Sequence, residues 1–218
     1  MPKRFDLLVF DWDGTLMDSA AVIAGSIQAA CRDLALPEPS DAAARHVIGL
    51  GLNEAISALL PEFDTADYPQ FIARYRHHFL GQDHEIPLFD GVYEAVSGLR
   101  DAGFLLSVAT GKGRNGLDRA LEHTGLANFF HGSRCADECH SKPHPAMLLE
   151  LMDEFGTTPD KTLMIGDTSH DLQMAMNAGV PSLAAAYGAH PKEGLLAFAP
   201  LACADDFAEL NQWLVAHA

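Results

Sequence analysis

Two aspartates at the end of an apolar run are the residues whose spacing first suggests chemistry. The run FDLLVF, residues 5 to 10, leads into Asp11, Trp12 and Asp13. Alternate side chains of an extended strand point to the same side, so we expect the carboxylates of Asp11 and Asp13 to lie close together on one side of the strand. Such a pair repels unless a cation or a shared proton relieves it. Magnesium, a hard ion that prefers oxygen ligands, is the natural partner.

Polar residues also follow two later apolar runs. The run FLLSVA, residues 104 to 109, ends in Thr110, Gly111 and Lys112, and TLMI, residues 162 to 165, ends in Gly166 and Asp167 with Asp171 beyond. A hydroxyl group and backbone N–H groups exposed by glycine suit phosphate oxygens. Lys142, followed by Pro143, adds a cation before a predicted helix. Taken singly, each of these residues is also compatible with a turn, a helix cap or a solvated surface charge.

The spacing of apolar residues predicts the strands and helices that carry these polar residues. Three near-continuous apolar runs are typical of parallel strands that are covered on both faces. Helical spacing precedes the second run, at Val92, Ala95, Val96 and Leu99, and recurs between the second and third runs, at Leu148, Leu151, Met152 and Phe155. Alternating strands and helices predict an α/β fold, a doubly wound parallel sheet of Rossmann-like type. Ligands of such sheets bind at the carboxyl ends of the strands, where the polar residues lie.

Residues 18–87 carry a different pattern. Helical spacing recurs at Ile23, Ile27, Ala30 and Leu34, and further helical patterns follow without a strong strand signal. An insertion of this size can fold as a small bundle of its own. We therefore predict a Rossmann-like core formed by residues 1–17 and 88–218, with an α-helical cap domain formed by residues 18–87.

The charge balance of the chain indicates which kinds of binding partner are disfavoured. The 218 residues include 14 basic and 30 acidic side chains, a formal net charge of −16, and lack any run of Lys or Arg. This balance disfavours binding to nucleic acid or to an anionic membrane. The apolar start is too short for a secretory signal, and no segment approaches a membrane span, so we expect a cytoplasmic protein.

The cysteines raise the question of whether the chain has a zinc site. The four cysteines do not suggest a disulfide framework in a chain without an export signal. His131, Cys135, Cys139 and His140 do lie close together in the sequence. Their spacing matches neither of the common paired zinc patterns, so a plain loop is the favoured interpretation.

Taken together, the motifs resemble those of a known family. DWDGT, the Thr-Gly-Lys after the second run, Lys142-Pro143 and GDTSHD look like the four motifs of the haloacid dehalogenase superfamily. The helical stretch after the first motif is similar to its type 1 cap, and the subgroup that the chain most resembles is that of the phosphoglycolate phosphatase-like hydrolases. The resemblance covers almost the whole chain.

The resemblance implies a phosphatase that forms an aspartyl-phosphate. Asp11 would be the nucleophile, and Asp13 would protonate the leaving group and later activate water. Mg²⁺ would be held by the Asp11 carboxylate, the Asp13 backbone carbonyl and Asp167. Thr110 and the amide of Gly111 would hold phosphate oxygens. Lys142, positioned by Asp171, would neutralise charge there.

Further residues narrow the chemistry and the substrate. Asp13 is the second acid that carbon-attacking dehalogenases lack, and the five lysines all lie outside residues 18–87, which disfavours a phosphonatase or a mutase. Lys112 and the cap residue Arg45 are predicted to contact the substrate, although Arg45 is equally compatible with a solvated helix face.

We therefore predict a Mg²⁺-dependent phosphatase acting on a small phosphorylated metabolite, of the kind represented by phosphoglycolate, as a monomer or homodimer. The alternatives are a phosphosugar mutase of the β-phosphoglucomutase type, a phosphoacceptor domain and a non-catalytic binding protein.

Overall fold

The computed structural model describes residues 3–218. The strands are β1 (Leu7–Phe10), β2 (Leu105–Thr110), β3 (Gly132–Cys135), β4 (Thr162–Gly166), β5 (Ser182–Ala185) and β6 (Cys203–Ala204). The helices are α1 (Ala20–Asp33), α2 (Asp41–His46), α3 (Leu52–Leu59), α4 (Tyr68–Leu80), α5 (Val92–Asp101), α6 (Arg114–Thr124), α7 (Ala146–Phe155), α8 (Ser169–Ala178), α9 (Lys192–Leu196) and α10 (Phe207–His217). Short 3-10 helices span Thr65–Asp67, Asp83–Glu85 and Pro159–Lys161.

The six strands form one parallel sheet in the order β3-β2-β1-β4-β5-β6. Helices connect them, so the predicted doubly wound α/β class is confirmed. The strand order reverses beside β1, which lies between β2 and β4, and this is where such sheets bind ligands. Phe10 is paired with Val108 on one side and with Ile165 on the other. The chain segments that follow β1, β2 and β4 therefore leave the sheet side by side.

Both faces of β1 are covered, as its unbroken apolar sequence predicts. Leu8 and Phe10 pack into the apolar cluster that also contains residues of α5 and α10, whereas Leu7 and Val9 pack with residues of α7 and α8. All four side chains have no exposed surface. The strand is thus fixed in the middle of the molecule, and the first aspartate after it leaves from a rigid position.

The predicted helical segment is helical from α1 to α4, and no strand lies between residues 11 and 104. The two longest of these helices, α1 and α4, pack against each other. Ile23, Ile27 and Phe71 are buried in this bundle. The division of the chain into a core and a cap domain at residues 17/18 and 87/88 stays a prediction.

No helix among residues 3–218 has the length and apolar character needed to cross a membrane.

Candidate active site

Asp11 is the first residue after β1, and it is fully buried. Its Oδ1 accepts a hydrogen bond from the backbone N–H of Trp12 at 2.7 Å and lies 2.8 Å from Nζ of Lys142. Its Oδ2 is buried and has no hydrogen-bond partner among the described residues. Burial raises the pKa of Asp11 well above its usual range, although the Lys142 ammonium opposes this shift.

Lys142 connects two of the predicted motifs. Its Nζ lies 2.7 Å from Oδ1 of Asp171 as well as 2.8 Å from Oδ1 of Asp11, and its side chain has no exposed surface. Burial by itself lowers the pKa of Lys142, but the two carboxylates outweigh this and raise the pKa above its usual value. The two carboxylates therefore favour the charged form of the lysine and hold its ammonium at a fixed position.

Asp171 is held by the first turn of α8. Thr168 caps this helix, and its N–H and its Oγ1 donate to Oδ2 of Asp171 at 3.0 and 2.6 Å. This reciprocal capping arrangement satisfies backbone groups that a helix N-terminus leaves open. It also occupies one carboxylate oxygen and directs the other to Lys142.

Asp167 follows β4 and lies beside Asp11 because β4 is paired with β1. Thr15 Oγ1 donates to its Oδ1 at 2.8 Å, and the N–H of Ala189 donates to its Oδ2 at 2.7 Å. Burial, with the Asp171 carboxylate nearby, raises the pKa of Asp167 to about 7. A Cβ atom at Gly14 would lie 2.2 Å from this carboxylate, and Gly14 also has a φ of +79°, so only glycine fits there.

Asp13 lies at the entrance to the buried cluster and is 6% exposed. Ser19 Oγ donates to its Oδ1 at 2.6 Å, and Nζ of Lys112 lies 3.0 Å from the same oxygen. The neighbouring Thr110 ends β2, and its Oγ1 accepts from the N–H of Lys112 at 3.2 Å. The structure therefore brings the Thr-Gly-Lys segment next to the Asp11–Asp13 segment.

The helical segment approaches the end of β2 closely at Gly111. A Cβ atom at this position would lie 2.5 Å from the carbonyl oxygen of Leu50 and 2.6 Å from that of Gly49. The turn after α2 therefore covers the carboxyl end of β2, and only a residue without a side chain permits the approach. A second contact is a hydrogen bond from the N–H of Gly51 to Ser141 Oγ at 2.8 Å.

Arg45 is not brought to this cluster. Its Nε donates to Oδ2 of Asp41 within α2 at 2.8 Å, and it does not line the cavity next to Asp11. Its predicted contact with substrate stays a prediction that requires the side chain to leave Asp41.

The cysteine and histidine cluster is also dispersed. His131 Nδ1 accepts from the N–H of Leu106, and Cys135 is fully buried with its thiol pKa raised by burial to about 12. Within residues 3–218, the side chains that come close enough for three or more to share a metal ion are Asp11, Asp167 and Asp171.

The acidic cluster fits a divalent cation. The ligand oxygens of Asp11, Asp167 and Asp171 lie within 4.8 Å of one another. Three buried carboxylates face one ammonium, that of Lys142, so two negative charges remain unbalanced when all three are ionised. Oxygen ligands of this type suit Mg²⁺. The motifs predicted Asp11 and Asp167 as ligands with the backbone of Asp13, whereas the cluster includes Asp171, whose oxygens are already engaged by Thr168 and Lys142.

Two supporting residues escaped the sequence analysis. Thr15 and Ser19 orient Asp167 and Asp13, respectively, through their hydroxyl groups. Their place within and just after the first motif was visible, but their partners depend on how β1 and β4 pair and on the turn after β1.

Comparison with known proteins adds a separate line of observation. The family described as haloacid dehalogenase-like hydrolase matches residues 8–185. A probable phosphatase, IndB, of Dickeya dadantii is 37% identical over 210 residues, which cover 94% of this chain and 91% of that protein. A phosphoglycolate phosphatase of Aliivibrio fischeri is 30% identical over 216 residues, 95% of each chain. The crystal structure of a predicted phosphoglycolate phosphatase from Haemophilus somnus is similar with a TM-score of 0.86 and 26% identity, over 97% of this chain and 99% of that one.

Proposed function

The chain belongs to the haloacid dehalogenase-like hydrolase family and is a phosphoric monoester hydrolase, and from that premise we propose that it transfers the phosphoryl group of a small metabolite first to Asp11 and then to water. The observation that carries this proposal is the Asp11 carboxylate itself. One oxygen is held by Trp12 N–H and Lys142, and the other is buried and has no partner within residues 3–218. A fixed carboxylate with one open oxygen is suited to attack phosphorus in line.

In the first step, Oδ2 of Asp11 forms a bond to phosphorus while the bond from phosphorus to the ester oxygen breaks. Asp13 gives its proton to the leaving oxygen, which departs as an alcohol. Ser19 and Lys112 both engage Oδ1 of Asp13, and its Oδ2 has no partner among the described residues. This arrangement fixes the carboxyl group while leaving one oxygen for proton transfer.

In the second step, water attacks phosphorus and gives up a proton to Asp13. The bond between phosphorus and Asp11 breaks, and inorganic phosphate and the Asp11 carboxylate are regenerated. The same residue acts as acid and then as base, so the proton balance closes over one turnover.

Charge on the transferring group is met by residues fixed before the substrate arrives. Lys142 is a buried ammonium whose position is set by Asp11 and Asp171. Thr110 Oγ1 and the backbone N–H of Gly111, at the end of β2, would hold non-bridging phosphate oxygens. Donors that need no reorganisation contribute most to catalysis of phosphoryl transfer.

Asp11, Asp167 and the backbone carbonyl of Asp13 would hold Mg²⁺, which supplies positive charge to the phosphate oxygens when bound. Thr15 and the N–H of Ala189 orient Asp167 for this role. Orienting partners of this kind tune the affinity of a metal site.

The substrate is proposed to be a small molecule, because the turn after α2 covers the site. Gly49 and Leu50 lie over Gly111 at a distance that leaves no room for a side chain. The names of the relatives make 2-phosphoglycolate a reference substrate for assays.

The test is hydrolysis of p-nitrophenyl phosphate by wild type and Asp11→Asn, with and without Mg²⁺. We expect Mg²⁺-dependent turnover by wild type and a loss of at least about 10⁴-fold in the variant, since the nucleophile is gone. Asp18→Asn, at an exposed acid near the same turn, is the matched control and should keep full activity. Turnover by Asp11→Asn at the wild-type rate would overturn the proposal.

A further inference from the structure

A cavity of about 300 Å³ extends from Asp11 and Asp13 into the helical segment. This is the volume of roughly ten liquid water molecules, more than a phosphoryl group with a two-carbon acid requires. The part away from the aspartates is walled by aliphatic and aromatic side chains from α1, the turn after α2, and α4: Ile23, Ile27, Val47, Ile48, Leu50 and Phe79.

Most of the side chains that form these walls are buried. Ile27, Val47 and Ile48 are each less than 5% exposed, and Phe79 is 9% exposed. Tyr75 stacks on Phe79 with ring centroids 5.8 Å apart and also lines the cavity. Burial raises the pKa of the Tyr75 phenol above its usual value, with a smaller effect from Asp13, so this residue is neutral. Walls of this kind recognise an apolar or aromatic group.

The cations that line the cavity are either engaged or at its surface. Lys112 Nζ lies 3.0 Å from Oδ1 of Asp13 and over the ring of Phe79, and Nε of Arg119 lies 3.5 Å from Oδ2 of Asp83. Arg76, the third, is exposed. Among the residues that the structure describes, no histidine lines the cavity. Within the described residues, the apolar part therefore offers no buried, uncommitted cation to a second anionic group.

A second negative charge on the substrate would be costly here. Asp137 also lines the cavity, together with Asp11 and Asp13, and the chain as a whole carries a formal net charge of −16. Lys142 and a divalent cation would serve the phosphoryl group. A carboxylate placed among Ile27, Val47 and Ile48 would lose its hydration without gaining a partner.

We propose that the leaving group is an uncharged alcohol with an apolar or aromatic body, larger than a two-carbon acid. This rests on the proposed phosphatase function and departs from the phosphoglycolate that the relatives' names suggest. The phosphoryl group lies at Asp11, the ester oxygen faces Asp13, and the organic part of the substrate occupies the space between α1, α4 and the turn after α2.

The test compares kcat/KM for three phosphomonoesters: ethyl phosphate, benzyl phosphate and 2-phosphoglycolate. Ethyl phosphate is the common reference, benzyl phosphate adds an apolar ring, and 2-phosphoglycolate adds a carboxylate. We expect benzyl phosphate to exceed ethyl phosphate by at least about tenfold, the scale on which an apolar pocket rewards added hydrocarbon. We expect 2-phosphoglycolate not to exceed ethyl phosphate. A higher kcat/KM for 2-phosphoglycolate than for benzyl phosphate would overturn the inference.

Arg76 provides a second arm, because it is the one lining cation that has no ion-pair partner among the described residues. Arg76→Gln should change kcat/KM for all three esters by less than about twofold, as should Arg74→Gln, its matched control on the same helix. A selective tenfold loss with 2-phosphoglycolate in Arg76→Gln alone would contradict the inference. Failure of wild type to hydrolyse any of the three esters or p-nitrophenyl phosphate would instead overturn the phosphatase function, and the inference would fall with it.

Discussion

Thr15 and Asp167, which lie 152 positions apart in the chain, are joined by a hydrogen bond of 2.8 Å from the threonine hydroxyl to Oδ1. The bond exists because β1 and β4 are paired in register, so the turn after one strand meets the end of the other. It connects the first and last motifs through a residue that has no place in the chemistry itself. Asp167 is thereby oriented by its neighbours before any cation binds.

Thr15→Val removes this hydroxyl group while keeping the side-chain shape. We expect the affinity for Mg²⁺ to fall by about tenfold or more, because an orienting partner of a proposed ligand is lost. Calorimetric titration of the purified protein with MgCl₂ measures this directly. Thr124→Val is the matched control, because the Thr124 hydroxyl donates within its own helix, to the carbonyl oxygens of Ala120 and Leu121. Equal Mg²⁺ affinity in wild type and Thr15→Val would contradict the role given to Thr15.

Lys142→Met leaves the buried carboxylates of Asp11 and Asp171 without their ammonium partner. We expect the free energy of unfolding without Mg²⁺ to fall by about 3 kcal/mol, the usual scale for removing one member of a buried ion pair. Urea unfolding followed by circular dichroism gives this value. Lys161→Met changes a lysine outside the site and should stay within about 0.5 kcal/mol of wild type. Unchanged stability of Lys142→Met would show that the cluster is not charged as described.

Gly111→Ala tests the close approach of the turn after α2. The added Cβ would meet the carbonyl oxygens of Leu50 and Gly49 at 2.5 and 2.6 Å, so the turn must move away from the site. We expect kcat/KM for p-nitrophenyl phosphate to fall by about 10²-fold, since small displacements of positioned groups are costly. Steady-state kinetics measure the loss.

The control for this substitution is Gly98→Ala in α5. Apart from the adjoining backbone of α5, no atom of the described residues lies within 4 Å of the added Cβ there, and the position is exposed. This change should leave kcat/KM intact and stabilise the fold by up to about 1 kcal/mol. If Gly111→Ala behaved like Gly98→Ala in the kinetic assay, the turn would have no role in forming the site.

His190 links the helical segment to the sheet and makes folding sensitive to acid. Its Nε2 is 3.0 Å from the carbonyl oxygen of His46, its Nδ1 accepts from the N–H of Ser169, and its ring stacks on that of His46. Burial, with His170 and His46 nearby, lowers the pKa of His190 to about 4. The folded protein therefore favours the neutral form of the His190 ring.

Because the pKa of His190 is lower in the folded than in the unfolded chain, the unfolded chain takes up the proton first as pH falls. This stabilising contribution is complete above pH about 6.5 and is lost as pH falls towards about 4, by as much as about 3 kcal/mol. His190→Asn should flatten the decline in urea-derived stability over this range, and asparagine can still accept from Ser169. Parallel curves for wild type and variant would contradict the assignment.

The sequence predicts the central strands well because their burial on both faces leaves a clear apolar signal. β1, β2 and β4 coincide with the three predicted runs to within two residues at each end. β3, β5 and β6 gave no comparable signal. Gly132–Cys135 is a partly exposed edge strand of mixed polarity, Ser182–Ala185 is short and alanine-rich, and Cys203–Ala204 has two residues. These three segments are strands because they pair with neighbouring strands of the sheet, and not because their own sequences favour the strand conformation.

The residues of the site also divide into those that the sequence predicts and those that it does not. Most of the motif residues could be found because they stand where a strand ends, and in a parallel sheet those ends share one edge. Lys142 lies instead in the loop between β3 and α7, and its place before a predicted helix marked it. The partners Thr15 and Ser19, and the apolar walls around Ile27 and Ile48, depend on how the helical segment closes over that edge. Helical periodicity predicts that a side chain is on an apolar face, but it does not tell a bundle interior from a substrate cavity. Arg45, in contrast, is predicted from the sequence to contact the substrate, but in the structure its side chain forms a local ion pair with Asp41.

The central claim is that Asp11 carries the phosphoryl group during turnover. Its most direct test is borohydride reduction of acid-quenched enzyme during turnover of p-nitrophenyl phosphate, which converts a phosphorylated aspartate to homoserine, followed by peptide mass spectrometry. We expect homoserine at position 11, in greater yield in Asp13→Asn, where attack by water lacks its base. Homoserine at another aspartate, or none at position 11 while phosphate is being released, would contradict the claim.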